Sequence, residues 1–139
     1  MQDNICQKEA LINPLGQKMY EEVLGKPVHA EKGGPPLIGV REFTVNHLFA
    51  NVWSRSLNVS EENQGITLRE RRLVTLALLA AQGRSDQLKD HVRGAIRAGI
   101  DKEVLVELMI HVAHYAGWPA GASGQAIVQN IYQDEEKSR

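Results

Sequence analysis

The amino-acid sequence contains a single cysteine, Cys6, among 139 residues. One cysteine cannot form a disulfide within the chain, and it excludes cysteine-ligated zinc, iron–sulfur clusters and two-cysteine redox centres. Neither sign of charge dominates, because sixteen Lys and Arg residues stand against seventeen Asp and Glu. The sequence therefore gives no indication of nucleic acid or an anionic membrane surface as a partner.

Long apolar runs are also missing. The longest, Leu76 to Ala81, has six residues, whereas a transmembrane helix needs about twenty. The first ten residues lack the cationic start and apolar stretch of a signal peptide. With 42% hydrophobic and 24% charged residues, the composition is typical of one globular domain. We expect that domain in a reducing cytoplasm.

Glycine and capping residues divide the second half of the sequence into four predicted helices. Thr67 and Glu70 fit a capping box before the first of them. Glycine ends the first three, and a proline suits the start of the fourth. The predicted spans are 68–82, 85–98, 102–116 and 119–134. The final residues, DEEKSR, are expected to be solvated and frayed.

Two of these helices are apolar nearly all round, at residues 73–81 and 104–113. Such helices are buried on most sides, and their amphipathic neighbours in so short a chain cannot cover both. The sequence therefore predicts a homo-oligomer. The helix between them has a single apolar stripe, formed by Leu88, His91, Val92, Ala95 and Ile96.

The first half predicts less regular structure. One helix is expected from Leu15 to Leu24, ended by Gly25. A second is expected from Phe43 to Trp53, with Phe43, His47, Ala50 and Ser54 on one side. Residues 26–40 form no regular element, which is typical either of a binding loop or inter-subunit arm or of a surface connector. Strand signals are weak throughout.

A cluster of three arginines, Arg69, Arg71 and Arg72, occupies the first two turns of a predicted helix. Cations are unfavourable at this positive end of the helix dipole, by up to about 1 kcal/mol each. Either acidic partners neutralise them as ion pairs, or they help to hold an anionic ligand. For Glu70, the favoured interpretation is a capping residue, and the alternative is a catalytic residue.

Histidines stand on two otherwise apolar helices. His91 lies on the apolar stripe of its helix, where it is either a satisfied core residue or a proton donor with a perturbed pKa. Glu107, His111, His114 and Tyr115 share one helix face, which is expected to border a pocket or a neighbouring subunit. Their spacing matches no standard zinc or di-iron motif, so we predict no metal.

The segment 116–124, AGWPAGASG, is dense in small residues. Small side chains allow helices to approach closely or leave room for a ligand, and close packing is the favoured interpretation. Trp53 and Trp118 are candidates for pocket walls, although a tryptophan also serves as core or interface.

Several short motifs together resemble the carboxymuconolactone decarboxylase family, within the superfamily of AhpD-type alkylhydroperoxidases. The resemblance covers about residues 43–132 and depends on the order and spacing of the pieces. These are Trp53-Ser54-Arg55, Arg72-Leu73-Val74-Thr75-Leu76-Ala77, Leu88-x-x-His91 with Ala95 and Gly99, and Tyr115-x-Gly117-x-Pro119-Ala120. The peroxidase branch has C-x-x-C-x-x-x-H, and Arg84 and Gln87 stand where its cysteines would be. Disulfide-based peroxide reduction is therefore excluded.

The resemblance implies an all-α, AhpD-like bundle of five or six helices that assembles as a homotrimer or homohexamer. Residues 1–40 would form an N-terminal helix and an irregular arm, and residues 41–139 the decarboxylase-like part of a single domain. The implied enzyme is a carboxy-lyase of the 4-carboxymuconolactone decarboxylase type, which acts without a cofactor on an anionic lactone acid in aromatic-compound breakdown.

Site roles follow from this resemblance. His91 is the predicted proton donor. Arg72 would donate hydrogen bonds to the oxyanion or to a carboxylate of the substrate, and Glu70 would orient these groups. Arg55 and His114 would bind substrate, with His114 the second choice as proton donor. Trp53 and Tyr115 would wall the pocket. A related lactone isomerase or hydrolase, or a non-catalytic subunit that binds small acids, are the alternatives.

Two departures from the family pattern concern the substrate. Ser56-Leu57 replace the Pro-Gly that often follows Trp-Ser-Arg, and Ala120-Gly121-Ala122 replace Ala-Ala-Asn after the Tyr-x-Gly-x-Pro element. The second change removes an amide that could contact the substrate. The substrate is therefore left open to another lactone or a related unsaturated acid.

Overall fold

The computed structural model describes residues 9–28 and 36–139. Over these residues the chain is all-helical, with six α-helices and no strand, which confirms the all-α part of the predicted fold class. None of these helices is both long enough and apolar enough to cross a membrane. The chain divides into two compact units, the first ending at Leu68 and the second covering Arg69–Arg139. The predicted division near residue 40 stays a prediction.

Helix α1 spans Pro14–Leu24, so it begins one residue before the predicted start and ends at the predicted residue. The side chain of Asn13 accepts a hydrogen bond from the Gly16 amide at 3.0 Å, which caps the first turn. Pro14 occupies the first turn, where its missing amide proton costs nothing. Gly25 ends the helix in the left-handed conformation, with φ 66°.

The second helical region is not the simple α-helix that the sequence predicts. A short α2, Gly39–Phe43, continues into a π-helical segment, Thr44–Val52, and then a 3₁₀ segment, Trp53–Asn58. The i→i+5 hydrogen bonds of a π-helix widen each turn, so a stripe spaced for 3.6 residues per turn does not stay on one face. The predicted side was therefore wrong: Phe43 and His47 are exposed, while Ala50 is buried.

An aromatic core holds the first unit together. The ring of Phe49 contacts Tyr20 edge-on at 5.2 Å between centroids and stacks on Trp53 at 5.8 Å. Val45, Phe49 and Trp53 recur every four residues and are all at most 3% exposed. This spacing follows the wider turn. The predicted irregular stretch at 26–40 lies partly outside the described residues, and its described end already enters α2 at Gly39.

The second unit contains four helices close to the predicted spans. These are α3 Leu68–Ala81, which begins at the last residue of the first unit, α4 Ser85–Arg97, α5 Lys102–Ala116 and α6 Trp118–Lys137. Gly83, Gly99 and Gly117 follow the first three with φ between 66° and 102°, which confirms their predicted role. The end of α6 differs, because the helix continues to Lys137 rather than ending near Asp134.

Apolar side chains from all four helices form the core of the second unit. The stripe predicted for α4 is confirmed, since Leu88, Val92 and Ala95 are buried and His91 and Ile96 half-buried. On α3 only one face is buried, at Arg72, Leu76 and Ala80. Val74 and Leu78 are 51% and 54% exposed. The single chain therefore leaves part of α3 uncovered, as the sequence predicts, and burial of the remaining face by a second copy stays a prediction.

Close contact between α5 and α6 depends on Gly121. A Cβ atom at this position would lie 2.4 Å from the Ala113 Cβ and 2.7 Å from the Met109 carbonyl oxygen. The favoured interpretation of the small-residue segment, close packing, therefore holds on this face of α6.

We expect Gly121→Ala to lower the free energy of unfolding by about 1–3 kcal/mol, because the methyl group overpacks the contact between the helices. Helix propensity acts in the opposite direction by about 1 kcal/mol. Urea denaturation measures the difference, with Ala122→Gly at the neighbouring exposed position as the control for propensity. A Gly121→Ala protein as stable as the wild type would contradict the contact.

Tyr132 connects α6 to the loop before α5, with its hydroxyl donating to the Ile100 carbonyl oxygen. The pKa of Tyr132 is raised to about 12. Burial is the largest cause, and the negative charges of Asp101 and Glu103 add to it. The ordinary value is about 10. Folding therefore favours the neutral phenol, and its stabilisation is complete below pH 10 and lost as the pH approaches 12.

We expect one tyrosine to ionise late in a spectrophotometric titration of the phenolate. The Tyr132→Phe variant should lack this late step and keep the transitions of the other tyrosines. A late step that persists in Tyr132→Phe would assign the raised pKa to another residue.

Candidate active site

The predicted site residues fall in both units. In the first unit, Trp53 begins the 3₁₀ segment and Arg55 follows two residues later. Trp53 is 3% exposed and stacked on Phe49, so its ring belongs to the aromatic core of that unit. Arg55 is exposed. The roles predicted for both, as a pocket wall and a substrate-binding cation, stay predictions.

Arg72 is the most buried charged side chain among the described residues. It is 4% exposed and lies on the buried face of α3, in line with Leu76 and Ala80. Transferring a charge out of water is costly, so a buried guanidinium needs fixed acceptors around it. Its neighbours in sequence behave differently, since Arg69 and Glu70 are exposed and Arg71 is half-buried. The arginine cluster thus contributes a single cation to the interior.

His91 is half-buried in the second turn of α4. Leu88 and Val92, on either side of it, belong to the same apolar cluster as Leu76 and Ala80 of α3. The helix faces that carry His91 and Arg72 therefore border one apolar core. An imidazole at the edge of such a core is partly shielded from water while remaining reachable, as a proton donor requires.

The polar strip predicted on α5 is present and exposed. Glu107, His111, His114 and Tyr115 line an open depression of about 560 Å³ together with Ile110. His111 stacks on Tyr115 with 4.6 Å between ring centroids, and Tyr115 is 82% exposed. Among residues 9–28 and 36–139, no three His, Cys, Asp or Glu side chains are grouped to hold a metal ion.

The proton positions on His114 follow from its contact. Its Nδ1 lies 2.7 Å from the Ile110 carbonyl oxygen. Because a carbonyl oxygen only accepts, Nδ1 carries a proton and donates it. The other ring nitrogen, Nε2, lies on a side chain that is itself exposed. Trp118 contacts the His114 ring edge-on at 5.8 Å and is 69% exposed.

Sequence patterns predicted which helix face carries each of these groups more accurately than they predicted how buried each group is. The structure brings His111, His114 and Tyr115 into one depression with Glu107, and it puts Arg72 and His91 at the edge of one core. The aromatic contact between His114 and Trp118 joins two helices across Gly117, and helical periodicity gave no signal for it. Gly117, with φ 102°, separates the two helices at this point.

Comparisons with known proteins identify one family and two decarboxylases that resemble this chain. The model of the carboxymuconolactone decarboxylase family matches residues 40–129. The chain is 33% identical over 94 residues to 4-carboxymuconolactone decarboxylase of Acinetobacter baylyi. That match covers 68% of this chain and 64% of the Acinetobacter protein, slightly less than two thirds of it. This chain is also 27% identical over 122 residues to nitrosuccinic acid decarboxylase npaB of Metarhizium robertsii. That match covers 86% of this chain and 80% of the Metarhizium protein.

Proposed function

Since this chain belongs to the carboxymuconolactone decarboxylase family, we propose that it releases CO₂ from a small acid that carries its own electron sink. The leading substrate is a carboxylated muconolactone-type lactone acid. Loss of CO₂ breaks a carbon–carbon bond, and the bonding electrons pass through the ring double bond to the lactone carbonyl oxygen. A proton then returns to carbon. No electron-accepting cofactor is required for this sequence.

The substrates named for the two relatives share this chemistry. A nitro group can accept the electrons released by decarboxylation as a lactone carbonyl does, and both acids carry two carboxylates. Two decarboxylases among the relatives of this chain therefore support a site for a doubly charged acid with an internal electron sink. Nitrosuccinic acid is accordingly the second substrate to test, in line with the departures from the family pattern after Arg55 and Ala120.

Such a reaction requires three functions from the protein. Arg72 anchors carboxylate and stabilises the developing oxyanion through forked hydrogen bonds. His91 donates the proton to carbon, and Glu70 orients these groups. His114 contributes substrate binding and is the alternative proton donor. Tyr115 lines the depression on α5 that also contains His114.

A single observation carries the proposal beyond family membership: Arg72 is 4% exposed. A cation held inside the protein interacts with an anion far more strongly than one at the surface. Together with the half-buried His91 at the edge of the same core, it supplies the charge and the proton that decarboxylation needs.

The test is to incubate the purified protein with a panel of γ-lactone acids and with nitrosuccinic acid. CO₂ release and ultraviolet absorbance are followed together. Decarboxylation releases CO₂ as the absorbance changes, whereas a lactone hydrolase or isomerase changes the absorbance without releasing CO₂. If no compound of the panel releases CO₂ or changes its absorbance while binding is retained, the protein has the non-catalytic small-acid-binding function instead.

We also propose that the protein assembles with copies of itself. Apolar side chains remain exposed on two helices of the second unit, at Val74 and Leu78 of α3 and at Ile110 and Tyr115 of α5. The α5 strip is self-complementary in charge, because Glu107 and His114 lie two turns apart. A copy related by a two-fold axis near Ile110 would place each Glu107 beside the partner's His114.

Light scattering at micromolar concentration is expected to give the mass of a trimer or hexamer, and the two-fold contact at Ile110 requires the hexamer. Ile110→Glu should shift the population toward smaller species, because the new carboxylate lies at the proposed axis. Asn130→Asp on α6, at an exposed position outside the depression that contains Ile110, is the matched control for added charge. A monodisperse monomer of the unmodified protein would contradict self-association.

A further inference from the structure

His91 differs from the other histidines in how far it is shielded from water. Of the histidines within residues 9–28 and 36–139, His91 alone is half-buried and the others are exposed. Its helix is well packed at this point, because Leu88 and Val92 are 2% and 0% exposed. A side chain anchored to such a helix turn approaches a bound molecule from one fixed side, while its exposed part still reaches water.

The proposed decarboxylation ends with a proton that passes from His91 to carbon, and this step can also run backwards. The same group acts as an acid in one direction and as a base in the other, by microscopic reversibility. In the backward step a C–H bond of the decarboxylated acid breaks, and the proton passes to the imidazole. The electron pair is delocalised into the lactone carbonyl or the nitro group, where the proposed role of Arg72, 4% exposed, is to stabilise the negative charge.

Contact with water decides what happens to the proton held by His91. An imidazole enclosed on all sides would return the same proton to the same carbon, and no change would be seen. Because His91 is only half-buried, its N–H proton exchanges with solvent before a proton returns to carbon. In D₂O the carbon therefore gains a deuteron in place of its hydrogen, while no carbon–carbon bond changes and nothing is oxidised or reduced.

We propose a further activity that rests on the proposed function: the protein exchanges one hydrogen of the decarboxylated product with solvent, without releasing CO₂. Its substrates are small carboxylic acids in which an acidic CH₂ group lies beside a nitro group or is conjugated with a lactone carbonyl. Because His91 approaches the bound anion from one side, it removes and returns only one of the two hydrogens. An imidazole at the surface would remove either hydrogen.

3-Nitropropanoate is the first probe, because nitrosuccinic acid becomes this compound when it loses the carboxylate beside its nitro group. The full chain is incubated with the probe in D₂O, and proton NMR follows the CH₂ group beside the nitro group against an enzyme-free sample. We expect the signal to fall to half and then to decline only at the enzyme-free rate. Exchange no faster than in the enzyme-free sample, or equal loss of both hydrogens, would overturn the proposal. If a γ-lactone acid releases CO₂ and nitrosuccinic acid does not, the lactone that remains becomes the probe.

Variants test whether His91 is the base. The His91→Ala variant should exchange about 10²–10⁴ times more slowly than the wild type. His91→Gln, which keeps a polar side chain of similar size without the titratable ring, should be equally slow. The matched control is His47→Ala, at an exposed position, which should keep the wild-type rate and the selectivity for one hydrogen. Circular dichroism shows whether each variant is folded. One-sided exchange at the wild-type rate in a folded His91 variant would overturn the proposal.

Release of CO₂, measured on the same preparation, separates this activity from the proposed function. Release of CO₂ without exchange of the product would overturn the inference and leave decarboxylation in place, with the final proton taken from water. One-sided exchange without CO₂ release from any acid of the panel would support the inference and overturn decarboxylation. Absence of both would overturn both.

Discussion

The His91→Ala variant is expected to decarboxylate about 10²–10⁴ times more slowly than the wild type, the usual contribution of a positioned proton donor. His91 is half-buried, between side chains of the core that Arg72 also borders. Without the imidazole, the carbanion formed by CO₂ loss must take its proton from water. The steady-state rate of CO₂ release measures the loss, mainly as a lower kcat.

The matched control is His47→Ala. His47 is an exposed histidine whose ring nitrogen lies 3.3 Å from the Asn51 amide, in the π-helical segment. It should retain wild-type turnover. If His91→Ala folds, assembles and turns over at the wild-type rate, His91 is not the proton donor, and His114→Ala becomes the decisive variant. A fall in the His114→Ala rate would then transfer the role to the exposed α5 strip.

Arg72→Met is expected to lower kcat/KM by about 10²–10³-fold, the cost of removing one well-placed donor to a developing oxyanion. Methionine keeps much of the side-chain volume at a position that is 4% exposed, so the change is chiefly one of charge and hydrogen bonding. Arg72→Lys restores the charge without the fork and should recover only part of the activity.

Measurements of kcat and KM for the Arg72 variants distinguish transition-state stabilisation from simple binding. Arg69→Met is the control, because Arg69 lies on the same helix and is exposed. Thermal unfolding is recorded in parallel, since breaking a buried charge interaction can also destabilise the protein. A folded Arg72→Met enzyme with wild-type kcat/KM would remove Arg72 from the reaction.

Helix boundaries in the second unit could be predicted from the sequence because they depend on local chemistry. Gly83, Gly99 and Gly117 adopt positive φ values, which glycine reaches without steric cost. The α4 stripe was equally predictable, since a 3.6-residue period repeats over its full length. The end of α6 was not, because the exposed residues after Asp134 remain helical without a periodic apolar signal.

The second helical region shows where periodicity fails. A π-helix and a 3₁₀ segment have different numbers of residues per turn, so the predicted face containing Phe43 and His47 was wrong. Nothing in the residue types between Thr44 and Val52 identifies this change in advance. The positions that are buried follow instead from the aromatic core formed by Tyr20, Phe49 and Trp53. Its packing depends on contacts between separate elements.

For the candidate site, the sequence by itself determined the chemistry that is available: one cysteine, three arginines at a helix start and histidines on apolar helices. It also determined the family, through short motifs in a fixed order. The tertiary structure alone decided that Arg72 is buried while Arg69 and Glu70 are exposed, and that His91 is half-buried at the edge of a packed core. Burial depends on which faces of different helices meet, and the local sequence of any one helix does not specify it.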